Sequence, residues 1–519
     1  MSNLIHRLLF SAFFLIMITS CSEKKLDEIN FDRNHPHDVS AKFIITDLIT
    51  STAFTAVGGD LSLYASSYIE HETGVWNQQY NAEIRLGEPS MSTTYNNSWG
   101  GIYANIKAAK LIIAKTSAGG NEAGNDLTSG IARVLLALNL GVLTDFFGDV
   151  PFSETGITNP DGTPKFMQPK IDKQSDLYPQ IQSILDSAII LLGNTDRGIT
   201  GSVGAQDIIY GGSGAAWRRA AYGLKARYLM RQLSKSANRN ADLAQIIDYT
   251  SKSFTSAAQE LKFDHYDGNN NYNPLFAFSY SREGLAASKS LAQKFKDLDD
   301  PRGASAFISA GYDQLDVDEA IAEAGPNGQP QQAQGIYAMS VANWAMTAPT
   351  QMLSYHEVLF LRAEAQARLE QTANAWETLQ EAVKSAFANL ENTLNSAEDT
   401  WMGIGLEVDL SAGVADDYFD NSVSARFDAN PIKEIMLQKY LAFYGASGEA
   451  PEAYHDYRRM KALGENFITL ANPLNAQGKF PLRYPYGSDD VTANLAIKAA
   501  YGNGDYVYTE NVWWAGGNR

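Results

Sequence analysis

Apolar residues along most of this chain recur with the 3.6-residue period of an α-helix. Between 99 and 115 they fall at Ile102, Tyr103, Ile106, Ala109, Leu111 and Ile113, which predicts a helix with one buried stripe. A partner helix is predicted over 127–143, after a Gly/Asn-rich turn. A second pair covers 176–192 and 215–233 with a Gly-rich link between them, and 241–254 adds a further helix. The third pair is 351–369 with 374–390. The fourth, 431–444 and 451–461, begins each time with proline at a first helical position, where its missing N–H would have had no partner anyway.

The implied fold class is mainly α, with tetratricopeptide-like helical pairs stacked into a scaffold. The likeness is architectural: the intervals are irregular, and there is no strict repeat of about 34 residues. Four long segments interrupt the pairs, at 60–98, 145–175, 256–348 and 395–430. They are rich in Gly, Asn, Asp, Pro and aromatic residues. Structureless segments of this length are uncommon unless they carry function.

The N-terminus has a different pattern. After Arg7 an apolar run covers 8–18. A membrane span needs about 20 apolar residues, so this run suits the central region of a secretory signal. It ends in Ile18-Thr19-Ser20-Cys21, the small-residue-then-cysteine pattern of bacterial lipoprotein signals. Cys21 is the single cysteine of the chain, so there is no disulfide framework to explain it. A thiol there accepts a diacylglyceryl group. After cleavage the new N-terminus can take a further acyl chain such as palmitate, and two or more chains give stable anchoring. The expected layout is a signal peptide over 1–20, a lipid anchor and charged tether over 21–40, and one domain over 41–519. No later apolar run is expected to span a membrane.

Composition narrows the function. A formal net charge of -18 argues against a nucleic-acid partner, since phosphate contacts depend on Lys and Arg. Aromatic residues make up 11% of the chain, more than helical packing needs, so some rings are expected outside the core. Catalytic motifs fail on inspection. His71-Glu72 and His356-Glu357 begin the H-E-x-x-H zinc pattern, but the fifth positions are Val75 and Phe360. Gly211-Gly212-Ser213-Gly214 has no lysine for a phosphate loop and is expected to be a flexible link. Asp316-Val317-Asp318-Glu319 lacks the glycine and ligand spacing of a calcium loop and is expected to open a helix. No metal, cofactor or enzymatic activity is expected. A surface hydrolase with paired carboxylates stays open as an alternative, because such pairs are made by the fold.

Several motifs occur in a telling order. They are Thr144-Asp145-Phe146-Phe147-Gly148-Asp149-Val150-Pro151-Phe152, Lys225-Ala226-Arg227-Tyr228-Leu229-Met230-Arg231, a helix running from Tyr355-His356-Glu357 to Leu361-Arg362-Ala363-Glu364-Ala365, Glu452-Ala453-Tyr454-His455-Asp456-Tyr457-Arg458-Arg459, and Arg483-Tyr484-Pro485 with Asn494. Behind a lipoprotein signal, this series resembles the SusD/RagB outer-membrane lipoproteins of Bacteroidota over nearly the whole mature chain. Tyr454 stands where the family usually has Trp, which keeps the ring. By their own chemistry these motifs are mainly structural: Gly148 allows a tight turn, and Arg227, Arg231, Glu357, Arg362 and Glu364 are placed to pair between neighbouring helices. The resemblance implies a nutrient-binding protein of the outer-membrane surface, taking an oligosaccharide or polysaccharide and sometimes a peptide. It also implies a partner, a SusC-like TonB-dependent transporter over which the protein acts as a lid, and no catalysis.

A sugar-binding surface needs flat aromatic faces beside hydrogen-bonding groups, and Tyr and Trp combine both. Rings in the interrupting segments are the better candidates. Trp76 and Tyr80, in Trp76-Asn77-Gln78-Gln79-Tyr80, come first. Tyr272 comes next, with Tyr280 and Arg282 close behind it, then Trp344 and Trp401. Trp99 is expected in the core, and Trp513 and Trp514 as a C-terminal packing anchor. For the anchor the outcome is definite: Cys21→Ala should release the protein from isolated membranes, and a variant that stays membrane-bound and lipid-labelled would overturn the assignment.

Overall fold

The computed structural model describes residues 38–86, 95–159, 163–502 and 504–519. The signal segment, Cys21 and most of the tether lie outside the described residues. Chain contacts group Ala41–Arg519 as one unit.

The predicted helices form close to their expected limits, except that the one expected over 374–390 runs from Thr372 to Ala397, into the segment expected to interrupt the pairs. Asn96–Thr116 packs on Asp126–Phe147, which packs on Gln174–Leu191, and that in turn on Gly214–Arg231. Arg239–Ser251 bridges Gly214–Arg231 to Tyr355–Arg368. Thr372–Ala397 and Pro431–Ala442 then pack on Tyr355–Arg368, and Ala450–Ala462 lies against Asp60–Tyr68. Helices that are consecutive in sequence thus become neighbours in space, as in a stack of helical pairs.

Three local departures have physical causes. The helix expected from 351 starts at Tyr355, because Thr350–Leu353 pairs as a strand with Leu261–Phe263. Ser354 then caps the helix, its hydroxyl accepting the Glu357 N–H at 3.1 Å. The helix Asp60–Tyr68 was not anticipated: Leu61 to Tyr68 are all buried, so no polar face marks its period. Asp126–Phe147 is long and apolar enough to cross a membrane by length and composition, but 89% of its most apolar window is buried in the protein. Its hydrophobicity serves the core.

The readings of the acidic helix start, Gly148, Trp99 and Trp514 hold, and that of a flexible Gly-rich link does not. Asp316 caps Val317–Glu323 in a reciprocal box with Glu319. Gly211 and Gly212 take positive φ, but the link is held rather than loose: the Asp207 carboxylate accepts the Gly212 N–H at 2.8 Å and the Trp217 indole N–H at 2.7 Å. Gly148 sits at φ +81°, and an added Cβ would come within 2.5 Å of the Arg483 guanidinium. That guanidinium donates to the Phe147 carbonyl. Trp99 is buried, and Trp514 is fully enclosed with the Arg458 guanidinium 4.7 Å from its ring.

The motif charges join the helices. Arg227 grips Glu357 with two bonds of 2.6 and 2.5 Å. Arg459 grips Glu364 at 2.6 and 2.7 Å and also reaches Asp456 at 2.9 Å. Lys439 closes on the other Asp456 oxygen at 2.8 Å. Arg231 bridges Asp145 at 3.1 Å to Glu452. Arg362 differs from the rest: its guanidinium donates to the Thr250 carbonyl at 2.6 Å, near the C-terminus of the helix Arg239–Ser251. Removing one partner of a buried pair strands the other charge and costs about 3–5 kcal/mol. Arg459→Ala should therefore lower unfolding free energy by that order in urea titration, whereas an unchanged midpoint would show the pairs to be dispensable.

Candidate ligand-binding site

The helix Pro274–Arg282 lies in the third interrupting segment. It begins at Asn273, whose side chain accepts the Leu275 N–H at 2.8 Å, with Pro274 at the first helical position. The same Asn273 amide donates to the carbonyls of Ala348 at 2.8 Å and Ala446 at 2.9 Å. Those bonds fix a short helix to the scaffold at its buried end.

Residues four apart share one helix face. Phe276 and Tyr280 accordingly stack at 5.6 Å with planes 6° apart, and Tyr272, four residues earlier, lies 5.3 Å from Phe276. Two distant segments complete the group. Trp401, beyond the long helix Thr372–Ala397, meets Tyr280 edge-on at 5.0 Å and Phe276 at 5.4 Å. Trp344 lies parallel to Trp401 at 6.1 Å, with planes 5° apart. Tyr312 meets Trp344 at 5.6 Å.

Burial divides this cluster into a base and a face. Phe276 and Trp344 are enclosed, while Tyr280, Trp401 and Tyr312 are 57%, 40% and 39% exposed. Four of the residues singled out by sequence, Tyr272, Tyr280, Trp344 and Trp401, are therefore brought together. Phe276 and Tyr312 were missed. The four-residue spacing of Phe276 and Tyr280 carried a signal for Phe276, whereas nothing local marked Tyr312.

Among the described residues the remaining candidates make no ring or cation–π contact with this cluster. Trp76 is 37% exposed and precedes the short helix Asn77–Glu83. Its neighbour Val75 donates its N–H to the Gly284 carbonyl at 2.9 Å, extending the antiparallel pairing of Glu72–Gly74 with Leu285–Ala287. Among the described residues neither Trp76 nor half-buried Tyr80 makes a ring contact with the cluster. Arg282 is exposed at the end of its helix, and its carbonyl accepts from the Gln334 amide at 2.9 Å.

Beside the rings is a cavity of about 230 Å³, whose walls include Val75, Glu283, Leu285, Tyr312, Asn343 and Trp344. It is far larger than the ~10–15 Å³ that one water needs. Behind Asn343 lies Glu72, fully buried, with the Asn343 amide donating to it at 3.4 Å. The His71 Nε2 meets the Tyr440 carbonyl at 2.9 Å, and burial holds its pKa down at about 3. Among the described residues no group of three or more His, Cys, Asp or Glu is placed to hold a metal ion.

A family model described as starch-binding and associating with the outer membrane matches residues 34–487. The chain belongs to the SusD-like family. A SusD/RagB family protein from Bacteroides thetaiotaomicron is 48% identical, with a TM-score of 0.87, over 93% of this chain and 100% of that one. A SusD homologue from Bacteroides fragilis is 17% identical at a TM-score of 0.68, over 92% and 100%. A chitin-binding SusD homologue from Flavobacterium johnsoniae is 18% identical at 0.65, over 91% and 98%. At these lower identities the likeness is one of fold. No curated protein matches. As a SusD-like protein, the chain is mainly helical and of an outer-membrane-associated nutrient-binding family.

Glu72 gives the region a pH dependence. Burial raises its carboxyl from 4.5 to about 8, despite the hydrogen bonds that favour its charged form. The folded chain thus keeps a proton that the unfolded chain loses above about pH 4.5, and stability declines as pH rises from there towards 8. In Glu72→Gln the fall in Tm between pH 6 and pH 8.5 should be shallower than in the wild type, and an identical slope would remove Glu72 as its source.

Proposed function

We propose that this SusD-like protein is a cell-surface receptor for oligosaccharide or polysaccharide. It is held to the outer membrane by lipid on Cys21 and hands its ligand to a SusC-like TonB-dependent transporter, which it covers as a lid. One observation carries the ligand class: the exposed rings of Tyr280 and Trp401 meet edge-on over buried Phe276, and exposed Tyr312 packs on buried Trp344, which lies parallel to Trp401. A sugar presents an apolar C–H face to such rings and its hydroxyls to the polar groups around them. Fixed rings lose little entropy when a flexible glycan binds. The family's starch-binding description and the chitin-binding relative support the same ligand class.

The proposed role is binding without turnover, in keeping with a family described by starch binding and association with the outer membrane.

Isothermal titration of the soluble domain against maltose-, cellulose-, xylan- and chitin-derived oligosaccharides should show heat with at least one. Trp401→Ala and Tyr280→Ala should each weaken that binding about five- to tenfold, since a ring contact contributes on the order of 1 kcal/mol. Trp76→Ala, one residue beyond the cavity wall, should weaken it less. Heat with peptides and none with any glycan would refute the ligand class, and release of reducing ends by the pure protein would refute the non-catalytic role.

A further inference from the structure

We propose that the cavity beside the aromatic face is a subsite for the acetamido group of an N-acetylated sugar, so that the receptor selects neutral N-acetylhexosamine chains over plain hexose chains. This rests on the glycan-binding role above and assigns its substrate class.

The first ground is what the cavity offers. Ser279 Oγ, Asn343 Oδ1 and Trp344 Nε1 belong to residues of its wall, and each is buried just behind the wall surface without a hydrogen-bond partner, so that a ligand in the cavity meets it through a small turn of the side chain. Buried polar groups are normally satisfied, so three around one cavity call for an explanation. The Asn343 amide nitrogen is committed to Glu72, which leaves the oxygen as an acceptor. The Trp344 indole can only donate, and the Ser279 hydroxyl can do either. A secondary amide is the complement of this set: its N–H needs an acceptor, its carbonyl needs a donor, and its methyl needs an apolar wall. Val75, Leu285 and Ala286 supply that wall.

The second ground is position. Tyr312 belongs both to the exposed aromatic face and to the cavity wall, and Trp344 joins the base of the first to the second. A sugar ring lying on Tyr312 would have a substituent within reach of the cavity.

The third ground is strain. Tyr312 holds φ at +69° and Glu283 at +44°, the left-handed region that bulky side chains rarely enter. Both line this cavity. Such outliers persist where the surrounding structure enforces them, and they gather at ligand clamps. Charge completes the choice of class: Glu283 at the wall and a formal net charge of -18 disfavour uronate or sulfate sugars.

The test is titration with three tetrasaccharides that share one β-1,4 backbone: N-acetylchitotetraose, its de-N-acetylated form and cellotetraose. The acetylated chain should bind at least tenfold more tightly than either of the others. Asn343→Ala should bring that ratio towards one. Ala333→Phe, which fills the cavity from a half-exposed wall position, should do the same without disturbing Glu72. Equal affinity for cellotetraose and N-acetylchitotetraose, or a ratio that survives Ala333→Phe, would overturn the subsite and leave the glycan-receptor role intact. Absence of binding to these and to every other glycan would overturn both, and tighter binding of a tetrapeptide would assign the amide recognition to peptides instead.

Discussion

The structure depends on charge buried between helices. Asp145, Arg227 and Arg231, Glu357 and Glu364, Lys439, and Glu452, Asp456 and Arg459 come from five separate helices and meet in the interior. An isolated charge there would be prohibitively costly, so each must face its opposite. Glu364 shows how complete the compensation is. Burial by itself would raise its carboxyl, yet Arg459 and Arg368 hold it down at about 2. Apolar helix faces can slide past one another at modest cost. Bidentate pairs cannot, because their donors and acceptors must coincide to within a few tenths of an ångström.

That constraint explains why motifs far apart in sequence act as one unit. The turn at Gly148 accepts Arg483, the neighbouring Asp145 binds Arg231, and Arg458 donates to the Asp145 backbone carbonyl at 2.8 Å while lying 4.2 Å from the Tyr454 ring. The tyrosine that stands in for the usual tryptophan keeps this stacking and donates its hydroxyl to the Pro481 carbonyl at 2.7 Å. The scaffold is thereby stiff where it carries the insertions. The aromatic face inherits that stiffness through Asn273, which ties the start of its helix to two separate strands of backbone. Preorganisation of this kind favours a ligand that is itself flexible and weakly held by any single contact.

Much of this was legible beforehand, for identifiable reasons. Helices with one polar face, such as Asn96–Thr116, announce themselves by period, and those starting with Pro431 or Asp316 by their caps. Asp60–Tyr68 did not, because burial on all sides erases the contrast that periodicity measures. Thr350–Leu353 continues the apolar pattern of the helix after it, and its strand character depends on a partner at Leu261–Phe263 almost 90 residues away. The candidate site divides in the same way. Phe276 and Tyr280 could be paired by spacing alone, whereas Tyr272 joins them from before the helix and Trp344, Trp401 and Tyr312 come from segments with no local relation to them.

By itself the sequence determined the class of fold, the residues that carry its buried charges, the order of the family motifs and the excess of aromatic rings. These are properties of composition and period, which act locally. Tertiary structure decided which rings meet, which of them face outward, and where unpartnered donors and acceptors are enclosed beside them. Those outcomes depend on contacts between residues up to more than a hundred positions apart, and no short-range pattern in the chain encodes them.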